Sequence, residues 1–174
     1  MTIAVSMSLQ QWAEYVSRVA AEKGWQATTW ENFVQKMAFA IGELDEGVDG
    51  VLGVGKDPLE VELADTAIRL LEALHNLFPN WSPGRVESRH PSQTPSRFQS
   101  IEQLLWKPLS KISKAIDCWR KGDRKDAQIC VELALLEVFR VADALGIDLM
   151  QEIAKKTQVN EGRPPQHGLP QNVG

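Results

Sequence analysis

The sequence predicts an all-α fold, and three observations predict it. Apolar residues recur at helical three-and-four spacing almost throughout the chain. Helix start and stop residues bracket the periodic stretches, and no segment shows a convincing strand pattern. The 174 residues, 43% hydrophobic and 24% charged, suit a single domain (1–174) whose core needs neither disulfides nor a structural metal.

The first helix is expected from about Leu9 to Glu22, where Leu9, Trp12, Ala13, Val16, Val19 and Ala20 share a face and Gly24 is a stop. Thr29 reads as the N-cap of a second helix, from Trp30 to Val51, with Phe33, Val34, Met37, Ile41, Leu44 and Val48 apolar. The run from Gly50 to Gly55 is too glycine-rich for stable helix. Asp57 caps and Pro58 opens the third helix, which reaches about Leu77 on a stripe of Leu63, Ala67, Leu70, Leu71 and Leu74. Residues 79–97 hold four prolines and four serines and read as an exposed connector. A second helical half follows over 98–158. It holds a helix from about Ser100 to Lys121 kinked early by Pro108, a turn at Gly122-Asp123, a long helix from Arg124 to Leu145, and a short helix capped by Asp148 and ending near Thr157. Residues 159–174 are expected to form an extended tail.

The net charge of −4 and a pI near 5.4 argue against a nucleic acid polymer as the main partner. No stretch approaches the roughly 18 apolar residues of a membrane span, and the N-terminal residues lack a signal-peptide pattern. A cytoplasmic protein is expected. Cys118 and Cys130 have no partner at zinc-binding spacing and read as two idle thiols.

An internal repeat is suggested. Val61-Glu62-Leu63-Ala64 recurs as Val131-Glu132-Leu133-Ala134, each after a helix beginning near a lysine, Lys36 or Lys107. This suggests two helical hairpins of one design. Glu43 and Glu46 then fall opposite Lys114 and Asp117, and Asp65 opposite Leu135, so only the first half can hold a complete acidic site. The span from Lys107 to Lys125 carries seven bases against two acids, a basic face suited to complement the acidic half or to attract an anion.

Between Glu43 and Asp65 there are eight acidic residues and one base, Lys56. Two pairs stand out, Glu43-x2-Glu46 and Glu62-x2-Asp65. An i,i+3 spacing puts both members of a pair on one helix face. In an antiparallel hairpin the pairs can face each other, and four converging carboxylates repel unless a cation neutralises them. An oxygen-only donor set favours Mg²⁺, with Mn²⁺ the other option. The alternative is an ordinary solvated acidic face.

The two pairs, separated by fifteen residues, resemble the metal motif of the MazG-like, all-α nucleoside triphosphate pyrophosphohydrolases. Ala21-Glu22-Lys23-Gly24-Trp25, the run from Lys36 to Glu46, and Glu62 to Leu71 resemble the family's first three helices. Ala144 to Leu149, and Lys156-x3-Asn160-x2-Arg163-Pro164-x2-His167-Gly168, are similar to its C-terminal signature. The resemblance implies a MazG-like helical bundle, here with an extra hairpin after the Pro/Ser-rich connector that stands in for a partner chain's hairpin. It implies Mg²⁺-dependent cleavage of a (d)NTP between the α and β phosphates, giving the monophosphate and pyrophosphate. Glu43, Glu46, Glu62 and Asp65 would hold the metal, and Glu43 or Glu46 would activate water. Lys36, Lys156 and Arg163 would sit near the phosphates, Asn160 on the sugar or a phosphate, Trp25 or Trp30 against the base, and His167 within the signature. A homodimer is implied as well. The chain departs from the pattern in the roughly sixty residues inserted after the third helix, and at Val159, Pro165 and Gln166, where aromatic and Tyr-Arg residues are usual. Those departures motivate the alternative of a non-catalytic nucleotide-binding or protein-interaction module.

Overall fold

A computed structural model describes residues 7–90 and 99–165, and among them the regular structure is entirely helical. Helix α1 (Leu9–Glu22) starts in a capping box. The Ser8 hydroxyl accepts from the Gln11 N–H at 3.2 Å and the Gln11 amide oxygen accepts from the Ser8 N–H at 2.8 Å. Its end is a Schellman turn, with Gly24 at φ 79° and the Trp25 N–H bonded to the Ala20 carbonyl at 2.9 Å.

Helices α2 (Phe33–Leu52) and α3 (Leu59–Leu77) form a hairpin. Gly47 lets them approach closely, because a Cβ there would lie 2.9 Å from Leu59 Cδ1 and 3.5 Å from Glu62 Cβ. Gly50 is tighter still, since its Cβ would meet the Asp57 carbonyl at 2.6 Å, and backbone cannot rotate away. Gly50→Ala is therefore expected to destabilise by about 1–2 kcal/mol net of its helix-propensity gain. The check is a thermal melt, where a Tm fall of roughly 3–6 °C is expected and an unchanged Tm would show that the hairpin relaxes freely.

A four-residue helix, α4 (Gly84–Glu87), precedes a second hairpin made of α5 (Ile101–Arg120) and α6 (Arg124–Ala144). The two hairpins lie side by side, α2 against α5 and α3 against α6, while α1 and α7 (Leu149–Gly162) cover α3. Eleven of the nineteen α3 residues are buried, so α3 is the central helix and what it carries inward is largely shielded from water. Its Leu63, Leu70, Leu71 and Leu74 are fully buried with Phe33, Met37, Ile112 and Leu135, each side chain contributing roughly 1.5–3 kcal/mol of burial. Among the described residues no helix is long and apolar enough to cross a membrane.

Four expectations need correction. The second helix begins after Asn32, not Thr29. Thr29 and Asn32 exchange hydrogen bonds (2.7 and 3.3 Å) that close a separate turn ahead of it. Asp57 makes no capping bond, and Pro58 is the extended residue before α3. The connector is docked over its first part: Trp81 and Val86 are buried, and Arg89 pairs with Asp143 of α6 at 2.7 Å. Two apolar side chains outweighed the Pro/Ser composition around them. The tail is not extended from 159 onward, because α7 runs to Gly162 and only Arg163 turns into extended backbone. Residues 91–98 and 166–174 lie outside the described residues. Helix α5 passes through Pro108, whose ring is buried. Cys118 and Cys130 are free and buried, and burial together with the neighbouring Cys118 pushes the Cys130 thiol up to about 11.

Candidate functional site

The α2–α3 hairpin carries the acidic pairs on facing sides. Glu43, Glu62 and Asp65 each bring a carboxylate oxygen within 4.8 Å of the others, the one such His/Cys/Asp/Glu cluster among the described residues. Glu62 is 2% exposed. Burial, then Glu43, then Asp65 push its carboxyl up to about 8, helped by a hydrogen bond shared with Glu43. Burial also raises Asp65, against the pull of Lys156. Glu46 lines the same cleft but is exposed and stands outside the triad, so three of the four expected ligands converge and the fourth sits at the rim.

The cleft has a volume of about 340 Å³ and is walled by α1, α2, α3, α7 and the two loops beside α2. Helix α7 brings Lys156, Asn160 and Arg163 to it, each about one turn from the last. Lys156 Nζ donates to Asp65 Oδ2 at 2.6 Å, with both side chains mostly buried. The Schellman turn ending α1 places Trp25 at the cleft wall. Lys36 also lines the cleft and donates to the Gln26 carbonyl, while burial lowers its pKa.

Two sequence-chosen residues are not brought in. Trp30 is absent from the cleft lining and packs on Phe33 and Phe78 (ring centroids 5.4 and 5.6 Å), with the Arg124 guanidinium 5.0 Å from its ring. Its carbonyl accepts from Trp119 Nε1 at 2.8 Å, tying it to α5. Trp30 is a packing residue here, and of the two tryptophans only Trp25 lines the cleft. His167 lies outside the described residues. The basic span from Lys107 to Lys125 does not reach the cleft either. Arg120 and Lys121 bind Asp117 (2.8 and 2.5 Å).

The sequence reading missed Arg69 and Glu72. Arg69 Nε donates to Glu43 Oε1 at 2.5 Å and its Nη2 contacts the same oxygen. Glu72 is buried and accepts from the Thr28 N–H (2.8 Å), the Thr28 hydroxyl and the Asn76 amide (2.7 Å), pinning the loop that carries Trp25 and Gln26. A signal was present: 62, 65, 69, 72 and 76 step by three and four, one continuous polar face of α3.

Compared with protein-family models, with curated proteins and with solved structures, the chain matches none.

Proposed function

We propose that this protein is a Mg²⁺-dependent nucleoside triphosphate pyrophosphohydrolase of MazG-like design, converting a (d)NTP to the monophosphate and pyrophosphate. The observation that carries the reading is the convergence of Glu43, Glu62 and Asp65 in a cleft that also holds Lys36, Lys156 and Arg163. The donor set fits a hard divalent cation: the oxygens are within 4.8 Å of one another, all are carboxylate, and one comes from a carboxyl too buried to stay ionised alone at neutral pH.

Glu43, Glu62 and Asp65 would hold the cation, Mg²⁺ or Mn²⁺. When bound, a divalent cation supplies charge neutralisation at phosphate oxygens and lowers the pKa of bound water. The remaining steps belong to side chains of this chain. Lys36, Lys156 and Arg163 bind phosphate oxygens by charge-assisted hydrogen bonds. Asn160, one turn beyond Lys156, bonds the sugar or a phosphate. Trp25 offers a ring face to the base, a contact tolerant of base identity. Glu46 lines the cleft, is exposed and stands outside the triad, so in this reading it, rather than Glu43, would take a proton from the attacking water. The same reading implies a cytoplasmic homodimer, and light scattering reads the oligomeric state directly.

A second reading is a nucleotide-binding module without turnover. It is favoured by Arg69 and Lys156, which already neutralise two of the three carboxylates. One experiment separates the two. The protein is incubated with each canonical NTP and dNTP, with Mg²⁺ or with chelator, and the products are resolved. Monophosphate plus pyrophosphate, formed only with Mg²⁺, is expected. Nucleotide-induced thermal stabilisation with no product from any of them would favour the module.

A further inference from the structure

We infer that Arg69 is a phosphate-binding side chain held on Glu43 until substrate arrives, so that divalent cation and polyphosphate bind cooperatively. The inference rests on the function proposed above and adds a residue and a coupling to it. Both Nε and Nη2 of Arg69 lie on one oxygen of Glu43, the carboxylate that also belongs to the acidic triad. A guanidinium and a divalent cation on one carboxylate repel each other at short range, and the repulsion is strong where water is excluded. The cation alone therefore binds against a resident charge.

Arg69 has somewhere to go. Its side chain is 38% exposed against 12% for Glu43, and it lines the cleft. Its guanidinium stands 5.2 Å from the Phe39 ring, one turn before Glu43 on α2, a face that steadies a planar cation once the carboxylate lets go. A planar fork of donors suits phosphate oxygens. Lys156 differs. Its side chain is 11% exposed, with less room to leave Asp65, and its ammonium has three donors, so it can reach a phosphate without giving up that bond. Moving Arg69 to a phosphate frees Glu43 for the cation and adds a contact to the anion, so each ligand strengthens the other by the same factor.

Calorimetric titration tests this with Mg²⁺ alone, and with inorganic tripolyphosphate in chelator and at saturating Mg²⁺, on wild type and Arg69→Gln; the two tripolyphosphate affinities of wild type give the coupling. The variant is expected to bind Mg²⁺ alone several-fold more tightly and tripolyphosphate about tenfold more weakly, the size of one lost charge-assisted contact. A merely structural Arg69 would weaken both, and a mere competitor would tighten both; either result overturns the exchange. Should Arg69→Gln fail to fold, Arg69→Lys carries the test. It keeps the charge and loses the fork, so Mg²⁺ affinity should stay within about twofold while tripolyphosphate weakens about fivefold; equal changes in both overturn the inference. If wild type binds Mg²⁺ but the coupling is absent, the exchange alone falls. If wild type binds no Mg²⁺ under either condition, the metal reading of the site falls and takes this inference with it.

Discussion

Glu62→Gln is expected to abolish triphosphate turnover, lowering the rate by at least about 10³-fold, or ~4 kcal/mol of barrier. The amide preserves shape and removes the carboxyl that a bound cation would hold ionised at the buried centre of the triad, where no solvated carboxylate can replace it. Asp65→Asn should lose a similar amount and also release Lys156 from its 2.6 Å bond. A control is Glu132, which stands in the second Val-Glu-Leu-Ala run as Glu62 stands in the first. Glu132 is buried too, but its carboxylate accepts the Gln128 amide at 2.9 Å and joins no acidic cluster among the described residues. Glu132→Gln should leave turnover within about twofold of wild type. The measurement is single-turnover pyrophosphate release at saturating Mg²⁺ for all three variants. Equal rates for wild type and Glu62→Gln would remove the triad from the chemistry, whatever the protein hydrolyses.

What could be read from the sequence follows from how local each signal is. Helix existence was legible because apolar spacing and capping residues act within one or two turns; Asp148 caps where it was expected to, and the helix expected from about Ser100 starts there, with Ser100 as its N-cap. The acidic triad was legible because i,i+3 pairs on two helices joined by a short loop can meet in few ways. Residues whose partners are distant in sequence were not legible. Trp30 and Trp25 look alike in the chain, and only the docking of α5, through Trp119, holds Trp30 against the core as a half-buried packing residue. Val86 looks like loop until α4 docks on α6. Arg69 read as part of a family pattern with no role, because its partner Glu43 is 26 positions away. The run 159–162 was misread because its glycine and prolines begin only at Gly162, and α7 uses everything before that point.

In cation-free buffer the wild type is expected to lose stability as pH rises from about 4.5 to 8, and Glu62→Gln is expected to lose less. A carboxyl whose folded pKa is about 8, against an unfolded value near 4.5, binds its proton more tightly in the native state. Its contribution is full below about pH 4.5 and is lost as pH climbs through 8, because folding then demands either a buried charge or an uptake of protons. The difference amounts to a few kcal/mol, on the order of 3, across that window. Asp65 is also raised and adds the same sign of slope. The carboxylates held low by hydrogen bonds, Asp117 and Glu102, titrate in acid and give the opposite slope outside this window. Glu62→Gln keeps the neutral shape at every pH, so at pH 8 without cation it should melt several degrees above wild type. Saturating Mg²⁺ should reverse the order, because a ligand carboxylate must be deprotonated and cation binding then stabilises the native state of wild type alone. The test is a set of melts of wild type and variant with chelator across this pH window, and of the same two proteins with Mg²⁺ at pH 8. Parallel pH profiles for the two proteins would show that Glu62 is not the titrating group, and an order that Mg²⁺ leaves unchanged would show that the buried carboxyl stabilises the bundle as a neutral acid rather than as a ligand.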